Sequence, residues 1–310
     1  MNDIYHSLKK KNLVFYWTSL VLLVVLVLYP LLGGIMMSFV LPVTGAGADW
    51  ADFNRQDLAG IRMVQVIGQV LLLCLPVLFL VGLQTGEKRL FSKKNLEFLG
   101  YGHRVSMSAV LLAVTGVLLL QPFIYVLVEG TGYFLSYLGE FGESILDNQE
   151  RLQRFLMFLA GADSFGEFLA VVFVVAVIPS LCEEMFFRGY VQKNYMDSLS
   201  PTGGILLTGF VFGLFHMSPA NLLPLTVMGW FIGYVYYKTQ SLVVPIAVHF
   251  CNNFLSLVIL QLQRENPDVT GESLIMSETI GWVILFVALS LLLFALVMRS
   301  FSRRFVVVRR

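Results

Sequence analysis

Charge is what this chain has least of. Lys, Arg, Asp and Glu make up 13% of its 310 residues, where a soluble domain carries about 25%. That shortage, with 57% hydrophobic residues and a positive mean hydropathy, excludes an ordinary water-soluble globule. Cysteine is scarce too. Cys74, Cys182 and Cys251 all lie in apolar runs, with no paired spacing and no CxxC, so there is no disulfide framework. A net charge of +1 says nothing about nucleic acid, but no basic recognition motif is visible, so nucleic acid is not an expected partner. No His-Glu-x-x-His is present, so no single helix carries the usual zinc-protease pair of histidines. Tandem repeats, low-complexity stretches and matching halves with broken helices are missing as well. The last of these is the mark of many secondary transporters.

What is there is a series of apolar runs near 20 residues long, the length that crosses about 30 Å of hydrocarbon. The runs predict an all-α, polytopic membrane protein of eight spans, near 13–40, 61–83, 106–128, 166–196, 203–217, 221–237, 242–262 and 279–298. The expected organisation is a single membrane domain over 1–310. The first run follows Lys9–Lys11 and precedes a cleavage-like Ala46-Gly-Ala48. It is too long for a signal-peptide core and reads as a retained span. With both termini cytoplasmic, sixteen of the 21 Lys and Arg residues fall on the inner side; Arg55, Arg62, Arg151, Arg154 and Arg264 do not. That is the positive-inside pattern. The outer loops are acidic, with Asp49, Asp52 and Asp57 in the first and Glu265, Asp268 and Glu272 in the last. Between Glu129 and Asp163 the spacing of Ile145, Leu146, Leu152, Phe155, Leu156 and Leu159 suits an amphipathic helix lying on the outer leaflet.

Ionisable residues inside such runs are costly and mark functional sites by default. Glu183 and Glu184 stand at the end of the apolar run that begins at Phe165, followed by Arg188; His216, His249 and Asn253 lie on later apolar segments. On a helix Glu184 and Arg188, four apart, share a face and can pair. Glu183 is turned about 100° away and is left for chemistry. Phe212 and His216 are also four apart, so the ring can pack beneath the imidazole. His249 and Asn253 repeat the spacing, whereas Asn252 points off that face. For Glu183 to meet His216 in depth, the fourth helix must continue through Gly189–Asp197 with Arg188 buried; Glu183 then lies about 21 Å from its inner end. Pro179 can kink that helix. Gly209/Gly213 and Gly229/Gly233 form small-xxx-small pairs for close helix approach.

These residues resemble the three motifs of the CPBP family, the Abi or type II CAAX-protease-like membrane proteases. Glu-Glu-x-x-x-Arg is matched by Glu183, Glu184 and Arg188, Phe-x-x-x-His by Phe212 and His216, and His-x-x-x-Asn by His249 and Asn253. The likeness covers roughly 165–260, the expected core. It implies a site opening toward the cytoplasm in an integral protein of a bacterial cytoplasmic membrane. It further implies that Glu183 and His216 activate water while His249 and Asn253 stabilise the oxyanion, with Glu184, Arg188 and Phe212 as support. Family members are described both as metal-free glutamate proteases and as metalloproteases. A zinc ion, if used, would be held by Glu183, His216 and His249 from three helices; the reading leans to chemistry without a metal. The expected partners are membrane lipids and a membrane-bound or amphipathic peptide substrate. Two rivals stand beside an endopeptidase. One is a peptide-binding or bacteriocin-immunity membrane protein, which the family likeness leaves compatible with catalysis. The other is a proton-coupled transporter, which has no need of the His249–Asn253 pair.

Overall fold

A computed structural model describes residues 13–40, 54–102, 104–265 and 280–305. Lys9–Lys11, Ala46-Gly-Ala48, Asp49, Asp52, Asp268, Glu272, Arg309 and Arg310 lie outside these residues. Ten helices are described, with no strand among them: α1 Val14–Ser38, α2 Arg55–Thr85, α3 Lys93–Leu99, α4 Met107–Ser136, α5 Glu140–Ala160, α6 Phe165–Ser198, α7 Pro201–Phe215, α8 Leu222–Thr239, α9 Val243–Glu265 and α10 Ile280–Arg304. Serines start several of them. Ser92, Ser106, Ser164 and Ser200 each accept a hydrogen bond from the backbone three residues on, satisfying donors that a helix start leaves open.

The chain is an all-α polytopic membrane protein. Six helices (α1, α2, α4, α6, α9 and α10) are long and apolar enough to cross a membrane. The remaining two expected spans, α7 and α8, pack closely on each other; α7 has only 15 residues. The outward faces of α1 and α10 show large apolar side chains, among them Leu20, Leu23, Val27, Phe286, Leu289 and Leu293. In water that would be a liability; against hydrocarbon it costs nothing. Helix α4 runs on to Ser136, eight residues past the expected limit, because Glu129, Gly130 and Gly132 look like breakers in sequence but are carried by a helix already propagating. The expected amphipathic helix is α5, whose residues are mostly exposed.

Helix α6 runs through the middle. As its depth requirement demanded, it continues without a break to Ser198. At 1.5 Å per residue Glu183 is then about 27 Å from one end and about 22 Å from the other. One core cluster joins α6 to α1, α2, α3 and α7, and a second joins α4, α8, α9 and α10. Two stretches of α6 widen into π-turns, Val172–Val177 and Met185–Gln192, and α2 has a third, Val70–Cys74. Such turns re-aim side chains and cluster at functional sites. The first has a visible cause in Pro179, which has no N–H to offer the carbonyl of Val175, four residues back. Asn253 Nδ2 donates to that oxygen at 3.3 Å.

The α7–α8 contact is built on glycine. A Cβ at Gly229 would sit 2.7 Å from Gly209 O, and one at Gly209 would sit 2.8 Å from Trp230 N. Backbone cannot yield there. Gly229→Ala and Gly209→Ala are expected to cost roughly 1–3 kcal/mol or more by overpacking. Gly281→Ala, with nothing within 4 Å of its new methyl, should cost little. Thermal melting of the detergent-solubilised variants checks this; equal midpoints for all three would contradict the packing argument.

Candidate active site

The site is assembled from α2, α6, α7, α8 and α9. Helix α6 supplies Glu183, Glu184 and Arg188, all buried. Arg188 Nη1 donates to Glu184 Oε1 at 2.7 Å, the expected four-residue pair. Its Nη2 donates to Gly229 O on α8 at 3.2 Å, so the glycine contact also delivers a carbonyl to the guanidinium. The guanidinium carbon lies 4.6 Å from the centre of the Phe212 ring, a cation–π geometry.

Phe212 is the hub. Its ring centre is 4.8 Å from that of His216, as the spacing on α7 predicts, and 5.7 Å from that of His249 on α9. The two imidazoles thus share one aromatic support. His216 Nδ1 is 2.8 Å from Phe212 O. A carbonyl only accepts, so Nδ1 carries a proton, which makes Nε2 the acceptor whenever the ring is uncharged. Met217, directly after it, is left-handed at φ 51°, and Gln149 of α5 accepts from Ser218 and Asn221 at 2.8 and 3.0 Å. The turn that carries His216 is therefore clamped from outside.

His249 lies between the two glutamates. Its Nδ1 is 2.7 Å from Glu184 Oε1, and its Nε2 is 3.9 Å from Glu183 Oε2. Glu184 therefore does more than brace Arg188; it also orients His249. No local pattern announces this, because the partners are on different helices. Asn253 is turned onto Val175 O and accepts from Asn252 Nδ2 at 3.4 Å; Asn252 faces away, receiving Gln121 Nε2 at 3.1 Å.

Glu183 is not free of partners. Gln69 Nε2 on α2 donates to its Oε1 at 3.0 Å, while Oε2 is buried without a hydrogen-bond partner among the described residues. The ring of Tyr29 on α1 packs 4.9 Å from that of Phe215. The sequence reading missed both Gln69 and Tyr29. For Gln69 a signal existed: Gln65 and Gln69 are amides four apart in an otherwise apolar run. Among the described residues, no three His, Cys, Asp or Glu side chains are placed to hold a metal ion. Glu183, His216 and His249 do not close into a ligand set in this geometry.

A family model described as "Type II CAAX prenyl endopeptidase Rce1-like" matches residues 165–255, from the start of α6 into α9. The chain is also similar to a Bacillus subtilis (strain 168) protein named "Putative membrane peptidase YdiL", at 26% identity over 115 residues. That match covers 37% of this chain and 47% of the relative, about half its length. No solved structure matches the chain. The matched segment holds Glu183, Glu184, Arg188, Phe212, His216, His249 and Asn253, and with the peptidase relative it supports the likeness to the CPBP, or type II CAAX-protease-like, membrane proteins.

Proposed function

We propose that this chain is a membrane endopeptidase that hydrolyses a peptide bond in a membrane-associated or amphipathic peptide. The observation that carries the reading is the buried Glu183 Oε2, unpartnered among the described residues and 3.9 Å from His249 Nε2 at mid-depth of an apolar bundle. That gap is too long for a direct hydrogen bond, and both atoms are left to act on something between them. In this reading Glu183 takes a proton from the attacking water, with Nε2 of His216 as the second acceptor. Nδ1 of His249 donates to Glu184, so Nε2 can donate to an oxyanion only when both ring nitrogens are protonated. Glu184 then balances Arg188, and the oxyanion balances the His249 imidazolium as Glu183 takes up the proton. Asn253 has a second amide hydrogen beyond the one given to Val175 and is the companion donor. Preorganised donors of this kind are the largest single contribution in many acyl-transfer sites.

The test is comparative proteomics of small membrane peptides in cells carrying the intact chain or Glu183→Gln. Peptides present only with the intact chain support the reading; identical peptide sets overturn it.

The placement proposed with it is an eight-span protein of a bacterial cytoplasmic membrane, with both termini in the cytoplasm. Lys93 and Arg55 stand near opposite ends of the bundle, at the start of α3 and the start of α2. Single cysteines at these positions, in a background lacking Cys74, Cys182 and Cys251, should react with an impermeant maleimide from opposite sides, Lys93→Cys from the cytoplasm. Outside labelling at position 93 would refute the orientation.

A further inference from the structure

The two carboxylate oxygens of Glu183 are in different surroundings. Oε1 accepts from Gln69 Nε2 at 3.0 Å. Oε2 faces His249 Nε2 at 3.9 Å. A terminal carboxylate torsion is broad, so nothing within Glu183 itself fixes the plane in which its two equivalent oxygens lie. Gln69 decides it. Gln69 is 2% exposed and Glu183 5% exposed, so water does not compete freely for the bond. The amide cannot turn over without setting its own oxygen against a carboxylate, which only accepts.

The backbone supports the assignment. Gln69 is the last α-helical residue before the π-turn Val70–Cys74, and a π-turn shifts the facing of the residues that flank it. On the other side, the π-turn Met185–Gln192 begins directly after Glu184. Two irregular turns on neighbouring helices thus flank one hydrogen bond. Gln69 also lies outside the matched segment 165–255, so the site is completed by a helix that the family match does not reach.

We infer that Gln69 is a positioning residue for the reaction: its amide holds Glu183 Oε1 and thereby presents Oε2 toward His249 as the oxygen that takes the proton. This rests on the peptidase reading above. The amide stays neutral throughout and never contacts the substrate.

The experiment has two arms on the full-length protein. Cleavage sites are first mapped as the peptides that appear with the intact chain and vanish with Glu183→Gln. A synthetic peptide spanning one such site is then the substrate for purified protein in liposomes. Gln69→Met keeps the length of the side chain and removes the donor. Its kcat should fall roughly 10²-fold, the scale of a catalytic group displaced by about 1 Å, with KM changed by less than about twofold and the melting temperature unchanged. Gln69→His, whose Nε2–H reaches a similar distance, should recover at least about tenfold of that loss. Full kcat in Gln69→Met overturns the inference while leaving the peptidase reading intact. A loss that tracks a lower melting temperature and a raised KM, without recovery in Gln69→His, overturns it as mere packing. If no peptide distinguishes the intact chain from Glu183→Gln, the peptidase reading fails and the role of Gln69 fails with it.

Discussion

Glu183→Gln should abolish proteolysis and leave the fold intact. The two halves of that expectation come from the same geometry. An amide matches the carboxylate in shape and nearly in volume, and its carbonyl oxygen can still accept from Gln69 Nε2, which donates to Glu183 at 3.0 Å. Its nitrogen then points to the place of Oε2, where it can no longer take a proton. General-base catalysis contributes about 10²–10⁴-fold, and removing the oxygen that faces His249 forfeits all of it. Removing a buried carboxylate also removes a desolvation cost, so the midpoint of thermal unfolding should stay level or rise. The check is paired: the rate of product release from a mapped substrate, and melting of the same preparation. Undiminished rates would remove Glu183 from the chemistry. A collapsed fold would show that the acid is part of the scaffold instead.

How far this site could be read from the chain depends on what kind of link joins its parts. Links within one helix were legible. Glu184 to Arg188 and Phe212 to His216 are four apart, and a helix brings such pairs together whatever else happens. The apolar runs likewise located the spans, because hydrocarbon imposes a length on them. Links between helices were not legible. Nothing near Glu184 in sequence says that His249 Nδ1 will sit 2.7 Å from it, and nothing near Gln69 points to Glu183. Those distances follow from how α2, α6 and α9 pack, and packing depends on many weak contacts summed over the bundle. Asn253 is an intermediate case. Its place on the His249 face was readable, and Pro179 was visible as a helix breaker. That the freed carbonyl of Val175 would take the Asn253 amide required both helices to be in place. The resemblance to the CPBP motifs gave the residues but not this second use of one of them.

Arg188→Ala should reduce folded protein severely, and Glu184→Gln nearly as much. Arg188 has no solvent exposure and neither has Glu184. In Arg188→Ala the Glu184 carboxylate keeps only His249 among the described residues, in an interior where an unpaired charge is strongly disfavoured. The vacated volume also lies against the Phe212 ring, now 4.6 Å from the guanidinium carbon, and beside Gly229 O, which would lose its donor. Breaking one partner of a buried pair costs about 3–5 kcal/mol, a large share of the roughly 5–15 kcal/mol that holds a typical domain together. In Glu184→Gln the geometry survives better, since the amide oxygen can still face Arg188. It then holds a buried cation without a counter-charge, and His249 loses the anion that orients it. The expected result is a large drop in monodisperse protein on size-exclusion chromatography of detergent extracts, with Arg188→Ala lowest and Glu183→Gln near the unmodified chain. Restoring charge alone with Arg188→Lys should recover little. Lysine supplies one compact ammonium where arginine's planar fork reaches Glu184 Oε1 and Gly229 O at once. If Glu183→Gln and Arg188→Ala lost folded protein equally, the division between a reacting carboxylate and a braced one would be wrong.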